Sequence, residues 1–175
     1  MHQANVSYLS RMFKNFETQQ LSPAWEYVAD TVMGGISTGG LEVDDYRGHK
    51  ATVLCGEVSL ANNGGFVQIA ADLNPDGTIY DASAWDGFAL KVCGNDASYD
   101  FRLRTDALRR TWQSFRTEFI ATSTWQTVYL PFADMIHHKT DAQFDPARLR
   151  RIGILAIGRA MRAEIAIAAV HLYRS

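Results

Sequence analysis

The chain has 175 residues, and its 17 Lys and Arg stand against 19 Asp and Glu for a formal net charge of −2. That balance excludes an overall field drawing it to nucleic acid or an anionic membrane. The length fits one domain able to bury about 70 % of the surface its unfolded chain would expose.

No run reaches the roughly 18 apolar residues of a membrane-spanning helix, and residues 1–17 lack an apolar stretch of signal-peptide length. The longest candidate, residues 151–173, is broken by Arg159, Arg162 and Glu164. The reading is a protein with no direct membrane insertion, located in the cytoplasm.

Residues 5–20 read as a short helix within an N-terminal arm, 1–24, and residues 25–175 as a single domain. After Trp25–Val28 comes "DTVMGGIS", Asp30 to Ser37, and "KATVLCGEVSL" and "NNGGFVQIAADL" supply two strands around a second Gly-Gly pair. In "DGFALKVCGN" Phe88, Leu90 and Val92 alternate with Ala89, Lys91 and Cys93. In "SYDFRLRTD" Tyr99, Phe101 and Leu103 take one face, and Asp100, Arg102 and Arg104 the other. "TWQSFRTEFI" sets Phe115, Thr117 and Phe119 against Ser114, Arg116 and Glu118. Such period-two patterns are half-buried strands. "WQTVYLPF", "RRIGILAIG" and "AEIAIAAVHLY" add three more, with one helical turn after Asp145. About eight or nine short strands, punctuated by "NPDG", "GND" and "DALRR" and without βαβ alternation, predict an all-β antiparallel sandwich of jelly-roll type. Its expected core is Trp25, Phe66, Phe88, Leu90, Tyr99, Phe101, Phe119, Leu130 and Ile154.

Two adjacent glycines cost backbone entropy, so a fold keeps them where positive φ or close backbone approach is needed. Asp30, Asn62 and Asn63 have side chains suited to capping backbone N–H groups in such loops. On one reading the two motifs tie their loops together. On the other they form a ligand site with Asp30, Asn62 and Asn63 as binding residues, since glycine-rich loops can present N–H groups to an anion. "GGISTGG" lacks the Lys-Ser/Thr of a phosphate loop and does not match G-x-G-x-x-G, which favours the first.

The most informative charges are Asp100, Arg102, Arg104, Arg116 and Glu118. Paired as a hairpin, their strands project them onto one sheet face. That face is either a solvated, ion-paired exterior or a binding surface where planar guanidinium groups grip carboxylates, sugars or a partner protein. Trp112 and Tyr129 are candidates to line it.

Cys55 and Cys93 read as reduced, structural residues. Adjacent His137 and His138, near Asp134 and Asp141, match no metal-loop spacing, and no metal or cofactor is expected. Carboxylates such as Glu26, Asp30, Glu57 and Glu118 cannot be set across a bond by sequence, and no G-x-S-x-G motif occurs. No catalytic residue is assigned.

In order, "WEYVADTVMGGIS", "GEVSLANNGGF", "DGFALKVCGNDASYDFRLRTD", "SFRTEF", "WQTVYLPFADM" and "RLRRIGILAIG" resemble the complex I intermediate-associated protein 30 family. The resemblance runs from Trp25 to about Tyr173, and the paired blocks D-x-V-M-G-G-x-S and N-N-G-G-F carry its specificity. It implies a galactose-binding-like β-sandwich used as an interaction module. Mitochondrial members of the family assist assembly of respiratory NADH:ubiquinone oxidoreductase, and related domains occur in bacteria. The chain departs from the pattern at "MIHHKTDAQFDP" and "GRAMRAEIAIAAV", a rim that bears on partner choice. The implied function is a non-catalytic, chaperone-like binding domain for subunits of a respiratory complex. A carbohydrate-binding module with a carbohydrate ligand is the alternative, and an enzyme on a galactose-binding-like fold a second one.

Overall fold

The computed structural model describes residues 16–175. In chain order its strands are β1 (Glu17–Leu21), β2 (Glu26–Ala29), β3 (Thr38–Tyr46), β4 (His49–Val58), β5 (Phe66–Asp72) and β6 (Gly87–Gly94). There follow β7 (Ser98–Thr105), β8 (Ser114–Ile120), β9 (Gln126–Pro131), β10 (Ile136–His138), β11 (Leu149–Ile157) and β12 (Met161–Arg174). They form two sheets. One runs β3-β4-β12-β6-β9, with β1 also pairing β12; the other runs β10-β8-β7-β11-β5-β2. All ten strand pairings described are antiparallel. The chain is an all-β antiparallel sandwich, as its alternating runs predict.

The alternation fixes the packing. Phe88, Leu90 and Val92 on β6 meet Tyr99, Phe101 and Leu103 on β7 in one core, with Phe88 and Phe101 at 5.4 Å between ring centroids. All eight expected strands are present, and Asp145 caps a one-turn helix, Pro146–Arg148, by accepting from the Ala147 amide at 3.0 Å.

Three expectations change. Of the helix expected over 5–20, the described part, 16–20, is Phe16 followed by strand: β1 pairs β12 from Glu17↔Arg174 to Leu21↔Val170, so the sheet begins before residue 25. The remainder, through residue 15, lies outside the described residues. Phe66 is not in the core. Val67 and Ile69 take the inward positions of β5, and period two turns Phe66 to the outer face. Trp25 packs only at the core's margin, partly buried. Strands β2, β3 and β10 were not anticipated.

Candidate functional site

The two Gly-Gly loops meet on one carboxylate. Asp30 opens a single 3-10 turn, Asp30–Met33, and is 0 % exposed. Its Oδ1 accepts the Ser37 amide at 3.0 Å, and its Oδ2 accepts the amides of Gly65 at 2.6 Å and Phe66 at 3.2 Å together with the Ser37 hydroxyl. Burial pushes the Asp30 carboxyl up, and these four donors outweigh it, holding the carboxyl below its usual range.

Each glycine pair divides its work. Gly34 and Gly65 adopt positive φ, +87° and +142°. Gly35 and Gly64 make room: a Cβ on either would stand 2.5 Å or 2.6 Å from the Asp30 carboxyl group. Asn62 and Asn63 contribute left-handed backbone, φ 56° and 59°, and their side chains make no hydrogen bond among the described residues. Asp30 therefore has no exposed atom to offer a ligand, and the loops are tied through it. The knot exposes Val32, Met33, Ile36 and Leu60, and it reaches the second sheet where the Gly158 amide donates to the Gly65 carbonyl at 3.0 Å.

On that second sheet Asp100, Arg102, Arg104, Arg116 and Glu118 do share one face. Register sets Arg102 opposite Arg116 and Asp100 opposite Glu118, two like-charged pairs. They are reconciled diagonally. Asp100, 5 % exposed, accepts from Arg102 Nη2 at 2.9 Å and bidentately from Arg116 Nε and Nη2 at 2.9 and 3.0 Å. Arg116 Nη2 also reaches Glu118 at 2.6 Å, and its hydrogen bond to Asp100 is the largest cause raising the guanidinium pKa. A groove of about 430 Å3 runs along these residues to His138 and Arg159. Burial first, then the charges of Arg102, Lys139 and Arg116, lowers the His138 pKa, an environment hostile to a bound cation. Among the described residues no three His, Cys, Asp or Glu side chains gather at a metal-like site.

Arg104 differs from its neighbours. It stands opposite Arg151 on β11, whose charge is met by Asp72 at 2.9 Å and by Glu26. Arg104 instead donates through Nη1 to the carbonyls of Arg110, at 2.8 Å, Thr111, at 3.2 Å, and Gln113. Trp112, 57 % exposed, rides on the same loop with Arg110 over its ring at 5.8 Å. Tyr129 does not join this face: it lies on β9 of the other sheet, 5.1 Å from the Tyr173 ring. The sequence reading missed Arg151, Gln68 and Ser114. The Arg150–Arg151 pair that opens the apolar run "RRIGILAIG" was the signal for the first.

Cys55 and Cys93 are free thiols. Among the described residues no helix is long and apolar enough to cross a membrane.

Two antiparallel sheets with a charged outer face define a β-sandwich of jelly-roll type. Its family follows from the sequence: residues 14–167 match the family model described as Complex I intermediate-associated protein 30, and the chain belongs to that family. No curated protein matches it. Among solved structures, the Family 11 carbohydrate-binding module of the cellulosomal cellulase Lic26A-Cel5E of Clostridium thermocellum superposes with a TM-score of 0.71 at 11 % identity, covering 89 % of this chain and 94 % of that one. A structure of the Family 11 module from the same organism in complex with a beta-1,3-1,4-mixed-linked tetrasaccharide gives a TM-score of 0.70 at 12 % identity, with coverage of 89 % and 94 %. The Family 30 module of cellulosomal cellulase Cel9D-Cel44B, also of Clostridium thermocellum, gives 0.65 at 16 % identity, with coverage of 88 % and 94 %. At these identities the likeness is one of fold.

Proposed function

We propose that this chain is a non-catalytic protein-interaction domain of the assembly-factor kind, using the outer face of β8, β7, β11 and β5 to hold an incompletely assembled subunit of a respiratory complex. In this reading it works from the cytoplasmic side and has a protein, not a nucleic acid, as its partner. The observation that carries the reading is the make-up of that face. Its central positions are Asp100, Arg102, Arg104, Arg116, Glu118 and Arg151, none of them aromatic, with a partly buried Phe66 at the end of β5. Stacking on a sugar needs an exposed aromatic platform, whereas guanidinium groups are favoured contacts at protein interfaces. A largely polar, water-accessible face also suits a partner that must later be released.

A second reading, a carbohydrate-binding module, is favoured by exposed Trp112 beside the face and by the fold shared with the modules above.

The test is affinity capture from native-host extract in mild detergent, with a folded Arg104→Ala/Arg159→Ala double variant as the control bait. Respiratory-complex subunits retained by the wild type and lost by the variant support the interface. Their absence, together with calorimetric binding of a mixed-linked glucan tetrasaccharide that Trp112→Ala abolishes, sinks it in favour of the sugar.

A further inference from the structure

Between β7, β8 and β11 the outer face holds a cavity of about 60 Å3, distinct from the longer groove. This is far below the roughly 300 Å3 at which pockets for whole small molecules begin, and it holds a few water molecules or one small polar group. Arg102, Arg104 and Arg151 all line it, and no carboxylate does. Arg102 is neutralised from outside by Asp100, and Arg151 by Asp72 and Glu26. Arg104 has no ion pair among the described residues. Its hydrogen bonds all leave from Nη1, so the N–H groups of Nε and Nη2 face no acceptor.

An independent feature borders the same space. Ser114 is 4 % exposed and lines the cavity, and its buried Oγ has no hydrogen-bond partner among the described residues. A buried orphan hydroxyl is uncommon and calls for a partner that the described residues do not supply. The Gln68 amide lies close by, above Gly153, where an added Cβ would come within 3.1 Å of Gln68 Nε2.

We propose that this cavity receives one carboxylate group presented by a polypeptide partner, with Arg104 Nε and Nη2 gripping its two oxygens and Ser114 Oγ and Gln68 Nε2 donating to the remaining lone pairs. The proposal rests on the reading that this face meets a protein. A carboxylate matches the guanidinium fork in planarity and in the spacing of its two acceptors. A neutral sugar hydroxyl would leave the Arg104 charge unmet in a half-buried site. Burial, with the charges of Arg151 and Arg150, already lowers the Arg104 pKa, a cost that a bound anion relieves.

The test is titration of the 175-residue protein with sodium acetate against sodium chloride at constant ionic strength, following the arginine side-chain Nε–H resonances by NMR. The Arg104 resonance is expected to shift saturably with acetate and not with chloride. Ser114→Ala should weaken acetate binding about ten- to a hundredfold, the effect of one hydrogen bond to a charged group. A merely structural serine, already without a partner, would give no such loss. Arg104→Gln should remove the response. Because Arg104 also holds the loop at 110–113, Gln68→Leu serves as a second variant, with a loss similar to that of Ser114→Ala. N-acetylglutamate α-methylamide and N-acetylglycine then separate a side-chain carboxylate from a chain-terminal one, and saturable binding of either supports the proposal. A linear response, an equal response to chloride, or inorganic phosphate binding at least as tightly as acetate overturns it. No partner takes part, so a negative result here leaves the interface reading to its own capture experiment.

Discussion

Asp30 Oδ2 accepts the backbone N–H of Gly65, 35 residues further along the chain, at 2.6 Å in a site sealed from solvent. One carboxylate thereby closes two glycine loops, and through Gly65 and Gly158 it also fixes the end of the Arg102–Arg116 groove. Fold and candidate surface are coupled at that residue.

Removing the Asp30 carboxylate leaves three amides buried without an acceptor, and leaves the Ser37 hydroxyl only the Ser59 carbonyl at 3.3 Å. Each costs about 1–3 kcal/mol if nothing relaxes, so Asp30→Ala should destabilise by about 3–5 kcal/mol in urea unfolding. The pH dependence has a definite sign. The folded carboxyl lies below its usual value, so its contribution is fully present above the unfolded value of about 3.9 and is lost as pH falls through the folded one. The stability gap between wild type and Asp30→Asn should be constant above about pH 5 and shrink on acidification. A gap that widens toward low pH would contradict the assignment.

The glycines should separate by mechanism. At Gly64 an added Cβ meets Asp30 Oδ2 at 2.6 Å and the Ala61 and Ser59 carbonyls at 2.9 Å, contacts with backbone that cannot step aside. At Gly34 nothing lies within 4 Å and the strain is that of φ +87° alone. Gly34→Ala should cost about 1–2 kcal/mol and Gly64→Ala clearly more, in thermal or chemical unfolding. The reverse order would mean that the loops are not packed on the carboxylate.

These relationships were legible in the sequence to different depths. The alternation through Phe88–Val92 and Tyr99–Leu103 set the core directly, because period two and burial are the same fact in an antiparallel sandwich. The paired glycines pointed to loops closed on each other, with Asp30 as the cap. Strand β1, "ETQQL", was hidden because its order comes from backbone pairing with β12 and leaves no apolar period. Strand β3, at a sheet edge with Gly39-Gly40 and exposed Glu42, Asp44 and Asp45, has no fully buried residue to write a period into the sequence. Nor could the band of arginines reveal which of them lacks a counter-ion. The acids that neutralise Arg151 are Glu26 and Asp72, brought beside it from β2 and β5 only by the sheet order.

A buried hydroxyl without a partner gives a prediction of opposite sign. The Tyr27 hydroxyl makes no hydrogen bond among the described residues, and burial, with the charge of Asp30 nearby, raises its pKa. Tyr27→Phe removes a desolvated polar atom and keeps the ring, so it should leave stability unchanged or raise it by up to about 1 kcal/mol. A loss of more than that in urea unfolding would reveal an interaction of the hydroxyl that this account lacks.

On the outer face, Asp100 and Glu118 make the sharpest contrast, since both bind Arg116 and differ in burial. Asp100 is 5 % exposed and pairs with two guanidinium groups, so Asp100→Asn leaves Arg102 and Arg116 facing each other across β7 and β8 without their shared anion. The expected loss is about 2–4 kcal/mol. Glu118, whose side chain is 61 % exposed, shares its arginine with water and salt, and Glu118→Gln should stay within about 0.5 kcal/mol. Chemical unfolding of both variants at low and high salt reads the difference directly. Added salt should erase whatever small effect Glu118→Gln has and leave most of the Asp100→Asn loss in place, because a pair withdrawn from solvent is screened far less than an exposed one. Equal losses for the two variants would mean that Asp100 does not organise the face, and that the pairing of Arg102 and Arg116 must be held by the strands alone.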